Sequence, residues 1–157
     1  IVDFDIVERS NLNNQAYMVD QIGMRKTEAL TKNISQVNPD VNVTAFHLKL
    51  ESGNMAEPFS SVDLIIEALD DAATKARFIE ETSIQYPDKP VIVASGVAGI
   101  RGTERIGLRR SGNLYLVHDD QAPSCDDSIL LAPRVGLFAN WQASLALEIL
   151  LEGKHVH

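Results

Sequence analysis

The chain has 157 residues, a formal net charge of −8 at pH 7 and an apolar content of 45%. This length suffices for a real core, so we predict a single domain over residues 1–157. The acidic balance argues against nucleic-acid binding, because phosphate backbones attract basic surfaces. The only cysteine, Cys125, cannot form an internal disulfide or a four-cysteine zinc site, which favours a reducing, cytoplasmic setting.

The longest apolar region covers residues 135–151 near the end of the sequence. Four polar side chains interrupt it, namely Asn140, Gln142, Ser144 and Glu148. A membrane span needs about 20 predominantly apolar residues. We therefore predict a buried or interface helix here and no membrane partner.

The start of the chain combines a short apolar pair with two acids. Ile1 and Val2 predict the end of a buried strand, which leads into Asp3 and Asp5. In doubly wound α/β folds, an acid at the carboxyl end of a parallel strand binds ribose hydroxyls. The glycine-rich turn that holds phosphates lies about 20 residues before such an acid. We therefore expect the first strand–turn–helix unit to be missing from this chain.

Strands and helices alternate along the rest of the sequence. Apolar spacing predicts helices over 23–37 and 71–86, and a last helix that Pro133 opens and Gly153 closes. Within the second helix we expect Ala72, Ala76, Ile79 and Ser83 on one stripe. Apolar runs and alternation predict strands over 41–48, 62–69, 90–95, 106–110 and 114–118, the last two forming a hairpin. This order predicts an α/β fold with a mostly parallel sheet.

Six short segments, in one order and at one spacing, resemble the ThiF/MoeB/HesA family, which is related to the ubiquitin-activating enzymes. Within that family, the segments resemble the short-form ThiF adenylyltransferases of the sulfur carrier ThiS. The segments are Asp3-Phe4-Asp5, Ser10-Asn11-Leu12-Asn13 with Gln15, Gly23-Met24-Arg25-Lys26, Asn38-Pro39, Leu69-Asp70-Asp71 and Ala132-Pro133-Arg134-Val135-Gly136.

The resemblance implies a Rossmann-like doubly wound sheet and a nucleotidyltransferase activity. Such an enzyme uses ATP and Mg²⁺ to adenylate the C-terminal glycine of a ubiquitin-like sulfur carrier with a Gly-Gly tail, here for thiamine biosynthesis. It also implies a homodimer. The paired Cys-x-x-Cys motifs of some relatives are absent from this sequence, so we predict no structural zinc.

The resemblance also implies roles for five side chains. Asp3 matches the acid that binds ribose, and Asn11 and Gln15 match amides around the triphosphate. Lys26 matches a lysine that holds phosphate oxygens as charge develops on the leaving pyrophosphate. Asp70 matches the acid that holds magnesium. Each has a structural alternative, which is loop bracing for Asp3 and the amides, a solvated surface for Lys26 and a helix N-cap for Asp70.

Two nearby residues look similar but favour structural roles. Asp71 is the better candidate for a pure helix cap than Asp70, and Arg25 lies on a different helical face from Lys26. Cys125 is flanked by four aspartates, which disfavour the reactive thiolate and argue against a nucleophile.

Asn14 departs from the family pattern, because the resemblance implies an arginine at this catalytic position. A neutral amide cannot replace the charged fork that a guanidinium offers to phosphate. Losing such a contact costs on the order of 100-fold in rate.

Other interpretations stay open at this stage. The chain fits a catalytically weak or silent binding subunit, and Asp3 also fits a nicotinamide-dependent oxidoreductase. Adenylation directed at tRNA is a further possibility that the acidic charge disfavours. The glycine-rich loop over 96–102 lacks the Lys-Ser/Thr ending of a P-loop, so we predict that it lines the groove for the carrier's tail.

Overall fold

The computed structural model describes residues 1–124 and 128–151. Cys125, the helix end predicted at Gly153, and the histidines at 155 and 157 lie outside these residues. The helices in the described part are α1 (Lys26–Val37), α2 (Ala72–Gln85) and α3 (Ala132–Leu151). Its strands are β1 (Val2–Asp3), β2 (Phe46–His47), β3 (Ile65–Ile66), β4 (Val91–Ser95), β5 (Gly107–Ser111) and β6 (Leu114–His118). The α/β class is confirmed.

Residues 1–51 form one compact unit. Its two strands pair in parallel, with Val2 opposite Phe46 and Asp3 opposite His47. Helix α1 lies between them in sequence and contacts β1, as expected of a parallel β-α-β connection. The parallel register places Asp3 and His47 together at the carboxyl end of both strands.

The predicted start of the first helix at residue 23 is wrong by three residues. Gly23 has a φ of +92°, and its N–H donates to the Val7 carbonyl. Met24 accepts from the Val7 N–H, and the Lys26 N–H donates to the Asp5 carbonyl. A helix that began at residue 23 would use the Met24 carbonyl for a bond to the Glu28 N–H, but this carbonyl pairs with Val7, and the positive φ of Gly23 is not helical.

Two predicted strands are much shorter than expected. Of residues 41–48, only Phe46 and His47 belong to a strand, and of residues 62–69, only Ile65 and Ile66 do. Ile65 is buried but Ile66 is 46% exposed, so β3 is covered on one face and not on two.

The described residues from 52 onwards form the second compact unit. Its sheet has the order β3-β4-β6-β5, in which the first three strands are parallel. Strand β5 adds antiparallel to β6, which confirms the predicted hairpin. Helix α3 packs on β4 and β6. The core there contains Ile92, Tyr115, Leu145, Ala146 and Ile149.

Helix α2 buries a different stripe from the predicted one. Phe78 and Thr82 are buried, whereas Ala72 and Ala76 are exposed. The ring of Phe78 meets Phe59 edge-on, with centroids 5.6 Å apart. The larger ring buries more apolar area than alanine does, so it sets the orientation of the helix.

Helix α3 is apolar on more than its core-facing side. Phe138, Leu145 and Ile149 are buried, while Leu137 and Leu147 are exposed. Across the described residues, we find no helix long and apolar enough to cross a membrane.

Candidate functional site

Asp3 lies at the carboxyl end of β1, as the sequence predicted. Its Oδ1 accepts a hydrogen bond from the Asp5 N–H at 2.8 Å. The second carboxylate oxygen accepts no hydrogen bond from another described residue, which leaves it able to bind a hydroxyl. Loop bracing and ligand binding are therefore compatible in this one side chain.

Lys26 is the first residue of α1, and its ammonium lies 2.8 Å from Asp5 Oδ2. The Lys26 side chain is 12% exposed, so the solvated-lysine alternative is wrong. A helix N-terminus attracts anions because its first N–H groups lack intrahelical partners. Arg25 instead lies 3.5 Å from Glu28 on the surface.

The amide segment forms a 3₁₀ helix over Arg9–Asn13. Asn11 Oδ1 accepts from the Glu8 N–H at 2.9 Å, so its carbonyl oxygen braces the start of this helix. Asn14 ends the helix, with its N–H bonded to the Asn11 carbonyl. The exposed Gln15 side chain bonds to no other described residue. The Asn11 amide nitrogen and Gln15 thus remain available, and their roles toward phosphate stay predictions.

Tyr17 is a neighbour of the acids that the sequence reasoning missed. Burial, followed by the negative charges of Asp3 and Asp5, raises the pKa of Tyr17 to about 12. The phenol is therefore a neutral donor near both acids at physiological pH. The buried Gln21 and the half-buried Asn33 fix this segment. Asn33 Nδ2 donates to the Ala16 carbonyl at 2.7 Å, and Gln21 Nε2 donates to Asn33 Oδ1 at 2.6 Å.

Asp70 follows β3 in the second unit and is exposed. Its Oδ1 accepts from the Asp71 N–H at 2.9 Å. Asp71 is the N-cap of α2 and accepts from the Thr74 N–H at 2.7 Å, which confirms that interpretation and leaves Asp70 without a capping role. The bonds to Thr74 lower the pKa of Asp71.

The described residues contain no group of three or more His, Cys, Asp or Glu side chains that could hold a metal ion. Asp70 alone is a weak site for a divalent cation. Mg²⁺ commonly binds through one or two carboxylates together with phosphate oxygens and water. The exposed Asp70 carboxylate therefore fits a metal that arrives with a nucleotide and does not fit a permanently bound one.

A buried ion pair stands just before Asp70. Lys75 Nζ lies 2.5 Å from Glu67 Oε2, and the Glu67 side chain is fully buried. Burial raises the pKa of Glu67, although the charge of Lys75 acts in the opposite direction. The sequence reasoning did not identify this pair, because Glu67 lies inside a predicted strand and its partner lies eight residues further on.

A second buried cluster joins α3 to the loop over 96–102, and the sequence reasoning missed its role. Arg134 donates to the carbonyls of Gly96, Val97 and Arg101 and lies 2.8 Å from Asp119 Oδ2. Arg105 lies 3.2 Å from the same oxygen. Four strong contacts from one guanidinium fix the loop and the start of α3 together.

The same cluster predicts an acid sensitivity. Hydrogen bonding from Arg105 is the largest effect that lowers the pKa of Asp119, from 3.8 to about 2. The folded state then binds fewer protons than the unfolded state between these values. The contribution of the Asp119 carboxylate to the free energy of unfolding is present above about pH 4 and is lost as the pH falls towards 2. We expect the stability difference between wild type and Arg105→Gln in urea unfolding to be largest above pH 4 and to shrink towards pH 2. A constant difference would contradict this account.

Gly96 cannot carry a side chain, which limits what its mutation can report. A Cβ there would lie 2.1 Å from the Asp119 carbonyl oxygen, and the φ is +74°. Gly96→Ala should therefore destabilise the protein by several kcal/mol, measured by urea unfolding. Gly53 is a matched control with a φ of +94° and no atom within 4 Å, so its alanine variant should lose only about 1–2 kcal/mol. Equal losses would show that the close contact is irrelevant. Substitution at Gly96 thus cannot test tail binding by this loop, which stays a prediction.

The fold and the strand-end acids define an α/β protein with Rossmann-like, mostly parallel sheets. Comparison with known proteins agrees with this class. The sequence profile of the ThiF family matches residues 1–157, and the chain belongs to that family.

Curated relatives are similar along nearly the whole chain. It is 26% identical over 157 residues to "Adenylyltransferase and sulfurtransferase UBA4" of Meyerozyma guilliermondii, covering 96% of the chain and 36% of that protein. It is 26% identical over 167 residues to "Adenylyltransferase and sulfurtransferase MOCS3" of Caenorhabditis briggsae, covering 95% and 38%. The chain thus spans little more than a third of the length of these relatives.

Solved structures show the same fold. The E. coli tRNA N6-threonylcarbamoyladenosine dehydratase TcdA in complex with ATP has a TM-score of 0.82 at 20% identity, covering 96% of this chain and 74% of that one. E. coli MccB with ATP has a TM-score of 0.68 at 16% identity, covering 95% and 47%.

Proposed function

We propose that this chain is an ATP-dependent adenylyltransferase that activates the C-terminal glycine of a ubiquitin-like sulfur carrier. One observation carries the proposal. In a chain that matches the ThiF family from end to end, Asp3 at a strand end bonds to the backbone of Asp5, whose carboxylate holds Lys26 at a helix N-terminus. The adenylyltransferase names of the UBA4 and MOCS3 relatives, and the ATP bound in the TcdA structure, support it.

The chemistry needs positioning more than acid–base catalysis. The glycine carboxylate is already ionised at pH 7, so no side-chain base is required. One of its oxygens forms a bond to the α-phosphorus while the bond from that phosphorus to the bridging oxygen of pyrophosphate breaks. The electron pair leaves with pyrophosphate.

Lys26 supplies the positive charge for this step, and Asp5 holds Lys26 in place. Asp5 neutralises the Lys26 ammonium in the absence of nucleotide and keeps it at the helix N-terminus. A triphosphate carries more negative charge than one carboxylate, so it competes with Asp5 for the ammonium. Lys26 then donates to phosphate oxygens whose charge grows as pyrophosphate leaves.

The remaining roles follow the family resemblance. Asp3 binds the ribose hydroxyls, and Asn11 and Gln15 donate amide hydrogens to the triphosphate. Asp70 holds Mg²⁺, which when bound neutralises phosphate charge. Asn14 offers an amide in place of a guanidinium, so we expect a slow enzyme.

Pyrophosphate exchange into ATP tests the proposal. The purified protein should exchange labelled pyrophosphate into ATP only when Mg²⁺ and a carrier with an intact Gly-Gly tail are present. A carrier that lacks its last glycine is the matched control. Binding of ATP without exchange would favour the silent binding subunit, and binding of a nicotinamide dinucleotide by calorimetry would favour the oxidoreductase.

Finer assignments also belong to the proposal. A thiamine-type carrier, a homodimer and a cytoplasmic location fit the family resemblance and the single cysteine. The TcdA likeness favours one alternative, which is a reaction on tRNA. Exchange stimulated by tRNA and not by carrier would support that alternative over ours.

A further inference from the structure

The turn between β3 and α2 is organised by one buried carboxylate. Glu67 follows β3 directly, and its side chain is fully buried. Its Oε1 accepts from the Leu69 N–H at 2.5 Å, and its Oε2 accepts from Lys75 Nζ at 2.5 Å. One carboxylate therefore fixes the backbone of the β3–α2 turn at Leu69 and also joins this turn to Lys75 on α2.

The backbone of Glu67 is fixed as well. Its N–H donates to the Ile92 carbonyl on β4 at 2.9 Å. Its carbonyl accepts from Gln142 Nε2 on α3 at 3.3 Å. Four contacts thus determine where Glu67 lies, one within the turn and one each from α2, β4 and α3.

Asp70 lies one residue beyond the amide that Glu67 holds. Its own bond to the Asp71 N–H and the Asp71 cap on Thr74 fix the other end of the turn. The exposed carboxylate of Asp70 is thus carried on a short segment that is anchored on both sides. The anchor on the β3 side is the ion pair.

Energetics argue that this ion pair has a purpose other than stability. Burying two charges costs several kcal/mol per ion before their attraction offsets it, and apolar replacements are often equally stable. The Lys75 side chain is 19% exposed and the Glu67 side chain is not exposed at all. A pair of apolar side chains would fill this place without that cost, but it could not hold the Leu69 N–H.

We propose that Glu67 and Lys75 form a positioning pair that holds the turn over 68–70, so that the Asp70 carboxylate can receive a divalent cation together with the nucleotide. Glu67 and Lys75 contact neither the cation nor the nucleotide. Lys75 fixes the direction of the Glu67 carboxylate, and Glu67 fixes the Leu69 amide. The inference rests on the proposed function, because that function assigns the metal to Asp70.

The test measures metal affinity in two ways for Lys75→Met and Glu67→Gln. The first is the Mg²⁺ concentration that half-saturates pyrophosphate exchange. The second is the binding of Mn²⁺ to the protein with ATP, followed by electron paramagnetic resonance, which does not need turnover. We expect both variants to require about tenfold more cation in both measurements, because residues that orient a metal ligand affect metal affinity by this order, while the affinity for ATP without metal changes little.

Glu81→Gln is the matched control. Glu81 also lies on α2, and its carboxylate accepts from the Gly53 and Met55 N–H groups at 2.8 and 3.1 Å. It should lose stability to a similar extent without a change in cation requirement. Lower melting temperatures in all three variants with unchanged cation requirement would overturn the positioning role.

The outcome for the wild type separates the two proposals. If the wild-type protein binds Mn²⁺ in the presence of ATP but does not exchange pyrophosphate, the proposed function is rejected. The Mn²⁺ affinities of the variants would then still test the role of the turn. If no Mn²⁺ binds to the protein in the presence of ATP, both the proposed function and the positioning role are overturned.

Discussion

Lys26→Met is expected to lower the rate of ATP–pyrophosphate exchange by at least about 100-fold. The ammonium lies at the N-terminus of α1, and its side chain is largely buried against Asp5. A methionine keeps the hydrocarbon length but cannot stabilise the charge that develops on the leaving pyrophosphate. The effect should appear mainly in kcat, because the interaction strengthens as that charge grows.

Two controls separate this role from general damage. Lys32→Met removes a half-exposed lysine of the same helix whose nearest acid, Asp20, is 3.9 Å away. Arg25→Met removes the adjacent cation, which pairs with Glu28 on the surface. Both should retain activity within about threefold, since exposed pairs of this kind contribute at most about 1 kcal/mol. The assignment of phosphate binding to Lys26 would be wrong in two cases. The first is that the Lys26→Met variant exchanges pyrophosphate at the wild-type rate, and the second is that Arg25→Met lowers the exchange rate as much as Lys26→Met does.

Arg134→Met is expected to reduce the free energy of unfolding by about 3–5 kcal/mol, because it removes the more deeply buried of the two cations that pair with the buried Asp119 carboxylate. The Arg134 side chain is 5% exposed and that of Asp119 is not exposed. The substitution also removes the donors for three loop carbonyls over 96–101. Arg105 alone remains to neutralise Asp119. Urea unfolding at pH 7 gives the measurement.

Arg109→Met is the comparison for this loss. Arg109 pairs with Asp120, but both side chains are more than half exposed. An exposed pair contributes about 0–1 kcal/mol, so the variant should unfold near the wild-type urea concentration. Similar losses of unfolding free energy for the two arginine variants would mean that burial and the bonds to the loop carbonyls do not determine how much Arg134 stabilises the protein.

The local sequence pattern was sufficient to predict elements that are stabilised by contacts between nearby residues. The apolar run at Val91–Val93 is buried as predicted, and the hairpin at residues 107–118 forms around its glycine turn. The cap at Asp71 also follows from nearby residues alone. In each of these cases the partners lie within a few residues or share one strand pairing.

Elements that depend on distant partners were predicted less well. The stripe on α2 was predicted to contain Ala72, Ala76 and Ile79, whereas contact with Phe59 selects Phe78. The start of α1 was placed at Gly23, where pairing with residues 5–7 takes the backbone groups. Spacing within a segment does not contain this information.

The sequence by itself determined the family, the α/β class and the positions of Asp3 at a strand end and of Asp70 between a strand and a helix, because these follow from short motifs and local pattern. Only the tertiary structure decided that Asp5 neutralises Lys26 and that Tyr17 lies near both strand-end acids. It alone decided that Glu67 and Asp119 are buried against cations. The physical reason is that burial of a charge depends on which elements pack around it, and those elements are far apart in the chain.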